Sequence, residues 1–173
     1  NIINEIPDEE LQEKIIEMFN NIAPTYDRAN RMMSFGVDIS WRKKACEYAL
    51  NYFKNSEISI VDVACGTGDM MDFWQKSAQN SDVKITNLIG IDPSIGMLEV
   101  AKQKFADFKF IQASATNTTL NDQSAQILSI SYGIRNVVER QKALQEFWRV
   151  LAPDGLLVVL EFTKAQKSGV IPK

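Results

Sequence analysis

The sequence predicts an α/β protein: a mostly parallel sheet covered by helices on both faces. Three observations predict it. From Ile58 onward, short apolar runs alternate with stretches whose apolar residues recur every three or four positions. Strands alternating with helices pair in parallel and bury both faces of their sheet. The first apolar run, "ISIVDVA", passes directly into a glycine-rich turn, "CGTGD". The second run, "ITNLIGID", closes on an acid, Asp92.

Element by element, Leu11, Ile15, Met18, Phe19 and Ile22 recur at helical spacing between Asp8 and Ile22. Asp8 is placed to cap that helix, and Glu9 and Glu10 suit its positive end. Pro24 breaks the pattern, and "APTYDRANRMMSFG" ends at Gly36. A second helix is predicted from Trp41 to Phe53, with Ala45, Tyr48, Ala49 and Tyr52 on one face. The first strand is Ile58 to Ala64, and "MMDFWQKSAQ" is helical. "ITNLIGID" is the second strand, and "SIGMLEVAKQKF" a helix burying Met97, Leu98, Ala101 and Phe105. "FKFIQAS" and "SAQILSIS" are the third and fourth strands. "RQKALQEFWRVL" is a helix burying Ala143, Leu144, Phe147, Val150 and Leu151, and "APDG" turns it into a fifth strand, "LLVVLEF". The polar run from Thr116 to Gln126 reads as a surface helix or loop.

Composition narrows the chemistry. The 173 residues are 45% hydrophobic, which suits one domain with a full core. A net charge of -3 carries no electrostatic footprint for nucleic acid. There is no histidine and there are only two cysteines, Cys46 and Cys65. A Ser-His-Asp triad, a His-ligated metal and a disulfide framework are therefore excluded, and acid–base work falls to Asp, Glu, Tyr, Lys or water. The apolar stretch "GLLVVLEF" is far short of the ~20 residues of a spanning helix, so a cytoplasmic protein is expected. The chain begins at Asn1 rather than Met, and we expect it to be a window on a longer protein.

In such a sheet, ligands bind outside the carboxyl ends of the strands where the strand order reverses. "VDVACGTGDM" marks that point: Gly66 and Gly68 carry no Cβ and let the backbone approach a ligand. Asp92, closing the next strand, stands where an acid hydrogen-bonds ribose hydroxyls. Together they predict an adenosine-type ligand rather than a bare tight turn. A dinucleotide fingerprint would need a third glycine, where Met71 stands, and Asp69 would repel a pyrophosphate at the helix start. Asp62, within the strand, adds a further acid near the loop. A cofactor with a cationic centre, S-adenosylmethionine, suits these charges better than NAD; its product is S-adenosylhomocysteine.

Those residues, with "FNNIAPTYDRANRMMSFGVDISWRKKA", "GIDPSIGML", "ISYGIRNVVERQKAL" and "RVLAPDGLLVVLEFTK", make the chain resemble the menaquinone/ubiquinone biosynthesis C-methyltransferase family, within the class I methyltransferases. The resemblance implies a Rossmann-like core over 55–173 and an N-terminal helical lid of the same domain over 1–54. It implies cofactor contacts by Thr67, Asp92, Ser114 and Ala115 (beside the adenine) and Ser131 (at the methionine end). Asn or Asp is more usual at Ser114, the region 116–126 lacks the Leu-Pro and Phe-Asp pairs, and "APDG" replaces a Lys-Pro-Gly-Gly turn. The fold normally adds two further strands, so truncation before them, with loss of part of the substrate pocket, is expected.

The implied reaction places a methyl on a ring carbon of a prenylated quinol, in menaquinone biosynthesis, ubiquinone biosynthesis or both. Such a carbon reacts only when a phenol oxygen is deprotonated and its oxyanion stabilised. Arg135 is the candidate for that stabilisation, and Asn136 for holding a quinol oxygen or the methionine carboxylate. The alternative for Arg135 is a helix cap or a pair with Glu139. Tyr26 is either a proton relay in the lid or a packing residue, and Asp27 either a base or a local cap. Cys65 reads as a small buried residue, and Arg42, Lys43 and Lys44 as a solvated face or, less simply, a membrane-surface patch. Met32, Met33 and Phe35 are core or a flexible wall for an isoprenoid tail. Peripheral contact with the inner face of the membrane and self-association are further expectations. Competing readings are O- or N-transfer to another small molecule, and a cofactor-binding scaffold without catalysis.

Overall fold

The computed structural model describes residues 6–34 and 36–162. Among them lie helices α1 (Asp8–Ile22), α2 (Tyr26–Ser34) and α3 (Val37–Tyr52), then strand β1 (Glu57–Val63) and helix α4 (Asp69–Gln79). There follow β2 (Lys84–Asp92), α5 (Ile95–Lys104), β3 (Lys109–Gln112), β4 (Ala125–Ser131), α6 (Arg140–Val150) and β5 (Leu151–Leu160). A 3-10 turn, Ala23–Thr25, joins α1 to α2, and another, Ile134–Asn136, follows β4. The predicted α/β class is observed. The five strands run in the order β3-β2-β1-β4-β5, and every neighbouring pair is parallel. The order reverses between β1 and β4, so a crevice opens at their carboxyl ends.

The strand period of two divides the core. Ile58, Ile60 and Ile127 pack with Cys46, Leu50, Met70 and Trp74 from α3 and α4. Val61, Val63, Leu128 and Ile130 pack on the other side with Ala143, Phe147 and Val150 from α6. Cys65, Met71 and Leu98 form a third cluster under α5. Both thiols are buried and free, and burial pushes each far above its ordinary value.

Several local expectations change. Pro7, not Asp8, precedes the first helix, and Asp8 opens it. The "YDRANRMMS" stretch is a helix of its own. Tyr48 and Tyr52 point outward at 81% and 58% exposure, because α3 turns Asp38, Arg42, Cys46, Ala49 and Leu50 inward instead. Leu144 is likewise exposed on α6. Arg42 is buried, which corrects its place in a solvated basic face. "APDG" lies inside β5 as an irregularity: Ala125 pairs with Leu151 but Ile127 with Leu156. The loop 113–124 is held to α6 by Glu146, whose carboxylate accepts from the Thr118 amide (2.7 Å) and hydroxyl (2.8 Å) and from Arg149 Nε (2.6 Å). The Arg149 hydrogen bonds hold that carboxyl down at about 2. Phe35 and the Met33 side chain lie outside the described residues; Met32 is exposed.

Candidate active site

β1 ends at Val63 and passes through Ala64 into the glycine-rich turn, because the chain must leave the sheet and enter α4 within a few residues. Gly66 adopts φ +55°, and a Cβ there would meet no protein atom, so the loop leaves that space open. Its amide donates to Asp92 Oδ2 (2.9 Å), while the Ser94 amide donates to Oδ1 (2.8 Å). Two backbone donors thus aim the carboxylate from the end of β2, and each oxygen keeps a lone pair for a ligand hydroxyl. Burial raises the Asp92 carboxyl, against the pull of these two amides.

A cavity opens at this edge. Gly66, Asp92, Pro93, Ser94, Met97, Ser114, Ala115, Ser131 and Tyr132 line it from the core. Gln12, Ile15, Ile16, Phe19 and Tyr26 close it from α1 and α2, and Asn136, Val137 and Glu139 bound it after β4.

α1 is pinned over the cavity at both ends. Gln12 Nε2 donates to the Asn136 carbonyl (3.1 Å), and its Oε1 accepts from the Val138 amide (3.0 Å). Asn20 Oδ1 accepts from Ser94 Oγ (2.6 Å) and the Gly96 amide (2.9 Å). Ser94 also caps α5, accepting from the Met97 amide. Any Cβ at Gly96 would lie 2.9 Å from the Asn20 carbonyl oxygen, so glycine is what lets α1 approach. At the start of α2, Asp27 accepts from Thr67 Oγ1 (2.5 Å) and from Lys104 Nζ (2.6 Å), and the same ammonium reaches Asp69 (2.8 Å).

The candidate residues therefore divide. Gly66, Asp92, Ser114, Ala115, Ser131, Tyr26 and Asn136 line one cavity. Thr67, Gly68, Asp62 and Arg135 do not. The buried Thr67 hydroxyl faces Asp27. Gly68 starts α4 in the left-handed region, against the Phe105 ring. Asp69 is neutralised by Lys104 rather than presenting a bare charge at the helix start. Arg135 is 57% exposed and lies 3.5 Å from Glu161, not beside Glu139. Tyr26 meets Phe19 edge-on at 6.1 Å. Gln12, Asn20 and Lys104 escaped the sequence reading. Gln12 could have been found, since it falls inside the helical stripe of Ile15, Ile16 and Phe19.

Asp62 shares the strand face of Ile58 and Ile60, so it points toward α4 and not into the cavity. It accepts from Ser129 Oγ (2.6 Å), which in turn accepts from Trp74 Nε1 (3.0 Å). Burial pushes its carboxyl up to about 7, opposed by the Ser129 hydrogen bond and by Arg42. With the folded value above the ordinary 3.8, its contribution to stability is full below that value and is lost as pH rises through about 7. We expect Asp62→Asn to flatten the fall in melting temperature across that window, measured against wild type by scanning calorimetry.

The donor set fits S-adenosylmethionine. The Asp92 carboxylate suits ribose hydroxyls, the apolar wall of Ile15, Phe19, Met97 and Ala115 suits an adenine, and the buried Ser131 Oγ finds no partner among the described residues. Among those residues no group of His, Cys, Asp or Glu could hold a metal ion, and no helix is long and apolar enough to cross a membrane.

Comparison with known proteins agrees. Over 160 residues the chain is 62% identical to the ubiquinone/menaquinone biosynthesis C-methyltransferase UbiE of Campylobacter jejuni, covering 92% of this chain and 68% of that protein. It is 38% identical over 154 residues to the demethylmenaquinone methyltransferase of Thermus thermophilus, covering 87% and 66%. The chain thus spans about two thirds of the length of these relatives. Among solved structures, a protein from Methanococcus maripaludis shares the fold with a TM-score of 0.65 at 19% identity, over 81% of this chain and 62% of that one. A SAM-dependent methyltransferase from Aquifex aeolicus does so with a TM-score of 0.58 at 19% identity, over 72% and 68%. The ubiE/COQ5 methyltransferase family matches residues 8–170, and the chain belongs to that family.

Proposed function

We propose that this protein transfers a methyl group from S-adenosylmethionine to a ring carbon of a demethylated, prenylated quinol on the route to menaquinone, ubiquinone or both. The observation that carries the reading is the cavity in which Asp92, Ser114, Ala115 and Ser131 lie under an apolar lid bearing Tyr26, with Asn136 at its far wall. Asp92 holds the ribose, Ser114 and Ala115 bound the adenine, and Ser131 meets the methionine end. Bound there, the cofactor supplies an electrophilic methyl on a sulfonium. The chain's own work is to hold the acceptor ring, exclude water and stabilise the oxygen that loses its proton.

Asn136 and Tyr26 stand at the cavity for positioning the acceptor, and Arg135 acts from outside it through Glu161. Thr67 supports the cofactor loop through its bond to Asp27. The protein works in the cytoplasm against the inner face of the membrane, as a substrate with an isoprenoid tail requires. The exposed Met18, Ile22, Met32, Val37 and Trp41 on α1 to α3 support that contact. Self-association through the same helices is the alternative use of these side chains.

The test is a methyl-transfer assay on the full-length protein, with demethylmenaquinol and a demethylated ubiquinol precursor supplied separately. We expect transfer to at least one, and transfer to neither sinks the reading. Arg135→Ala is expected to keep its S-adenosylhomocysteine affinity within about twofold while turnover falls at least ~10-fold, as the positive charge beside Glu161 is lost. A matching loss of affinity would make Arg135 a binding residue.

A further inference from the structure

Besides Ser131 Oγ, three side chains that meet near the ends of β4 and β5 have buried atoms that nothing among the described residues satisfies. They are Arg42 Nε, Tyr132 Oη and Glu161 Oε2. Buried polar atoms without partners are rare and costly. Three that share one corner of a fold need a common explanation.

Arg42 is 8% exposed on α3. Asp38, one turn earlier, lies 3.6 Å from its Nε, which balances the charge but is too long for a hydrogen bond. The guanidinium carbon sits 5.0 Å from the centroid of the Tyr132 ring, and Phe162 stacks on that ring at 4.5 Å. Tyr132 is itself 8% exposed, lines the cavity, and holds a left-handed backbone at φ +58°. A bulky residue is seldom found there, and such strain gathers at functional positions. Its amide donates to the Leu160 carbonyl (2.7 Å), which fixes it against the end of β5. The next residue, Glu161, accepts through Oε1 from the Phe162 amide (3.0 Å) and faces Arg135 Nε (3.5 Å). Its other oxygen is buried and empty-handed. Burial raises the Tyr132 phenol, so it stays a donor; Arg42 opposes that rise, and Asp38 and Glu161 add to it.

Two donors and one acceptor complement a hydroxyl group. An ammonium would leave Arg42 and Tyr132 without an acceptor, and a carboxylate would leave Glu161 without a donor. Tyr132, beside Ser131, brings this corner to the wall of the cavity. We propose that Arg42, Tyr132 and Glu161 form the subsite that receives a ring hydroxyl of the aromatic acceptor and takes its proton.

In this step the O–H bond of the acceptor breaks and its proton passes to Glu161 Oε2. The electron pair stays on the ring oxygen and spreads to the ring carbon. One negative charge moves from carboxylate to ring oxygen, where Arg42 and Tyr132 donate to it, so the charge of the corner is unchanged. After transfer the C–H bond at the methylated carbon breaks, a proton is restored to the ring oxygen through water, and Glu161 releases its own proton to water, so that one proton is given up per methyl transferred. Tyr132 and Glu161 touch the acceptor and are catalytic residues; Arg42 both donates to the oxygen and braces the Tyr132 ring. The identity of the acceptor as a quinol rests on the function proposed above, whereas recognition of a phenolic hydroxyl does not.

The experiment separates the two. Full-length protein saturated with S-adenosylhomocysteine is titrated anaerobically with 1,4-naphthalenediol and with its dimethyl ether, which has the same ring but no hydroxyl. Wild type is expected to favour the diol by at least ~10-fold, the scale of a hydrogen bond to a charged group. Tyr132→Phe and Glu161→Gln should each shrink that preference. In turnover, Glu161→Gln should lose about 100-fold in kcat with little change in KM, as removal of a general base does. Arg42→Lys should recover activity that Arg42→Met loses. Equal wild-type affinity for diol and ether would mean that the corner holds only water, and would overturn the proposal. An unchanged diol preference in Tyr132→Phe, which removes one oxygen and keeps the ring, would do the same even if the other variants fail to fold. A Tyr132-dependent diol preference without any methyl transfer would leave the subsite standing and remove the proposed function.

Discussion

Asp92→Ala is expected to lose about 100-fold in affinity for S-adenosylhomocysteine, or about 2.7 kcal/mol, the scale of two hydrogen bonds to a charged group. The expectation comes from the way its carboxylate is held. One oxygen is fixed by the Gly66 amide and the other by the Ser94 amide, so its remaining lone pairs face the cavity without further ordering. On the proposed role, removal of the side chain takes away the acceptor for the ribose, and it leaves the Gly66 and Ser94 amides without a partner. Part of the loss therefore comes from a loosened glycine turn. Asp92→Asn separates the contributions, because its amide group keeps the volume but offers an N–H to one of two N–H donors. Isothermal titration should place Asn between wild type and Ala. If both variants bind within threefold of wild type, Asp92 is not the ribose anchor.

Trp74→Ala should carry the largest cost in stability, about 4 kcal/mol, from the burial of a whole indole in a core that cannot collapse around the gap. For a chain of this size that is a fall of roughly 12 °C in melting temperature. Trp74 is fully buried between α4 and the sheet, packed with Ile58, Ile60, Met70 and Ile127. Its indole N–H also begins the chain of hydrogen bonds through Ser129 to Asp62. Trp74→Phe keeps most of the apolar volume and removes the donor alone, so it should cost only about 1–2 kcal/mol. A phenylalanine variant as unstable as the alanine variant would show that the polar chain, not the packing, holds this face together. Chemical denaturation of the three proteins reads the difference directly.

The fate of individual candidates shows where sequence reasoning reached. Gly66, Asp92, Ser114, Ala115 and Ser131 come together in one cavity because each lies at or just past a strand end, and strand ends are set by short-range pattern. Asp62 was misplaced, although its parity with Ile58 and Ile60 was already in the sequence and directs it to α4. Arg42 was read with Lys43 and Lys44 as one basic face, but neighbours on a helix point about 100° apart and only Arg42 turns inward. Arg135 follows the expected strand, yet the 3-10 turn after β4 carries its side chain outward to Glu161. Of the face predicted for α3, Ala49 is buried but Tyr48 and Tyr52 are exposed, because the buried stripe runs instead through Asp38, Arg42, Cys46, Ala49 and Leu50.

By itself the sequence determined the alternation of strands and helices, the glycine turn after β1 and the acid after β2. Each of these depends on side-chain period or backbone freedom within a few residues. Only the tertiary structure decided which polar groups meet. Gln12 reaches Asn136 across 124 positions, Asn20 reaches Ser94 across 74, and Asp27 reaches Lys104 across 77. Arg42, Tyr132 and Glu161 likewise come from three separate elements. Pairings of that kind follow from how α1 to α3 dock on the sheet, and local propensity carries no record of docking.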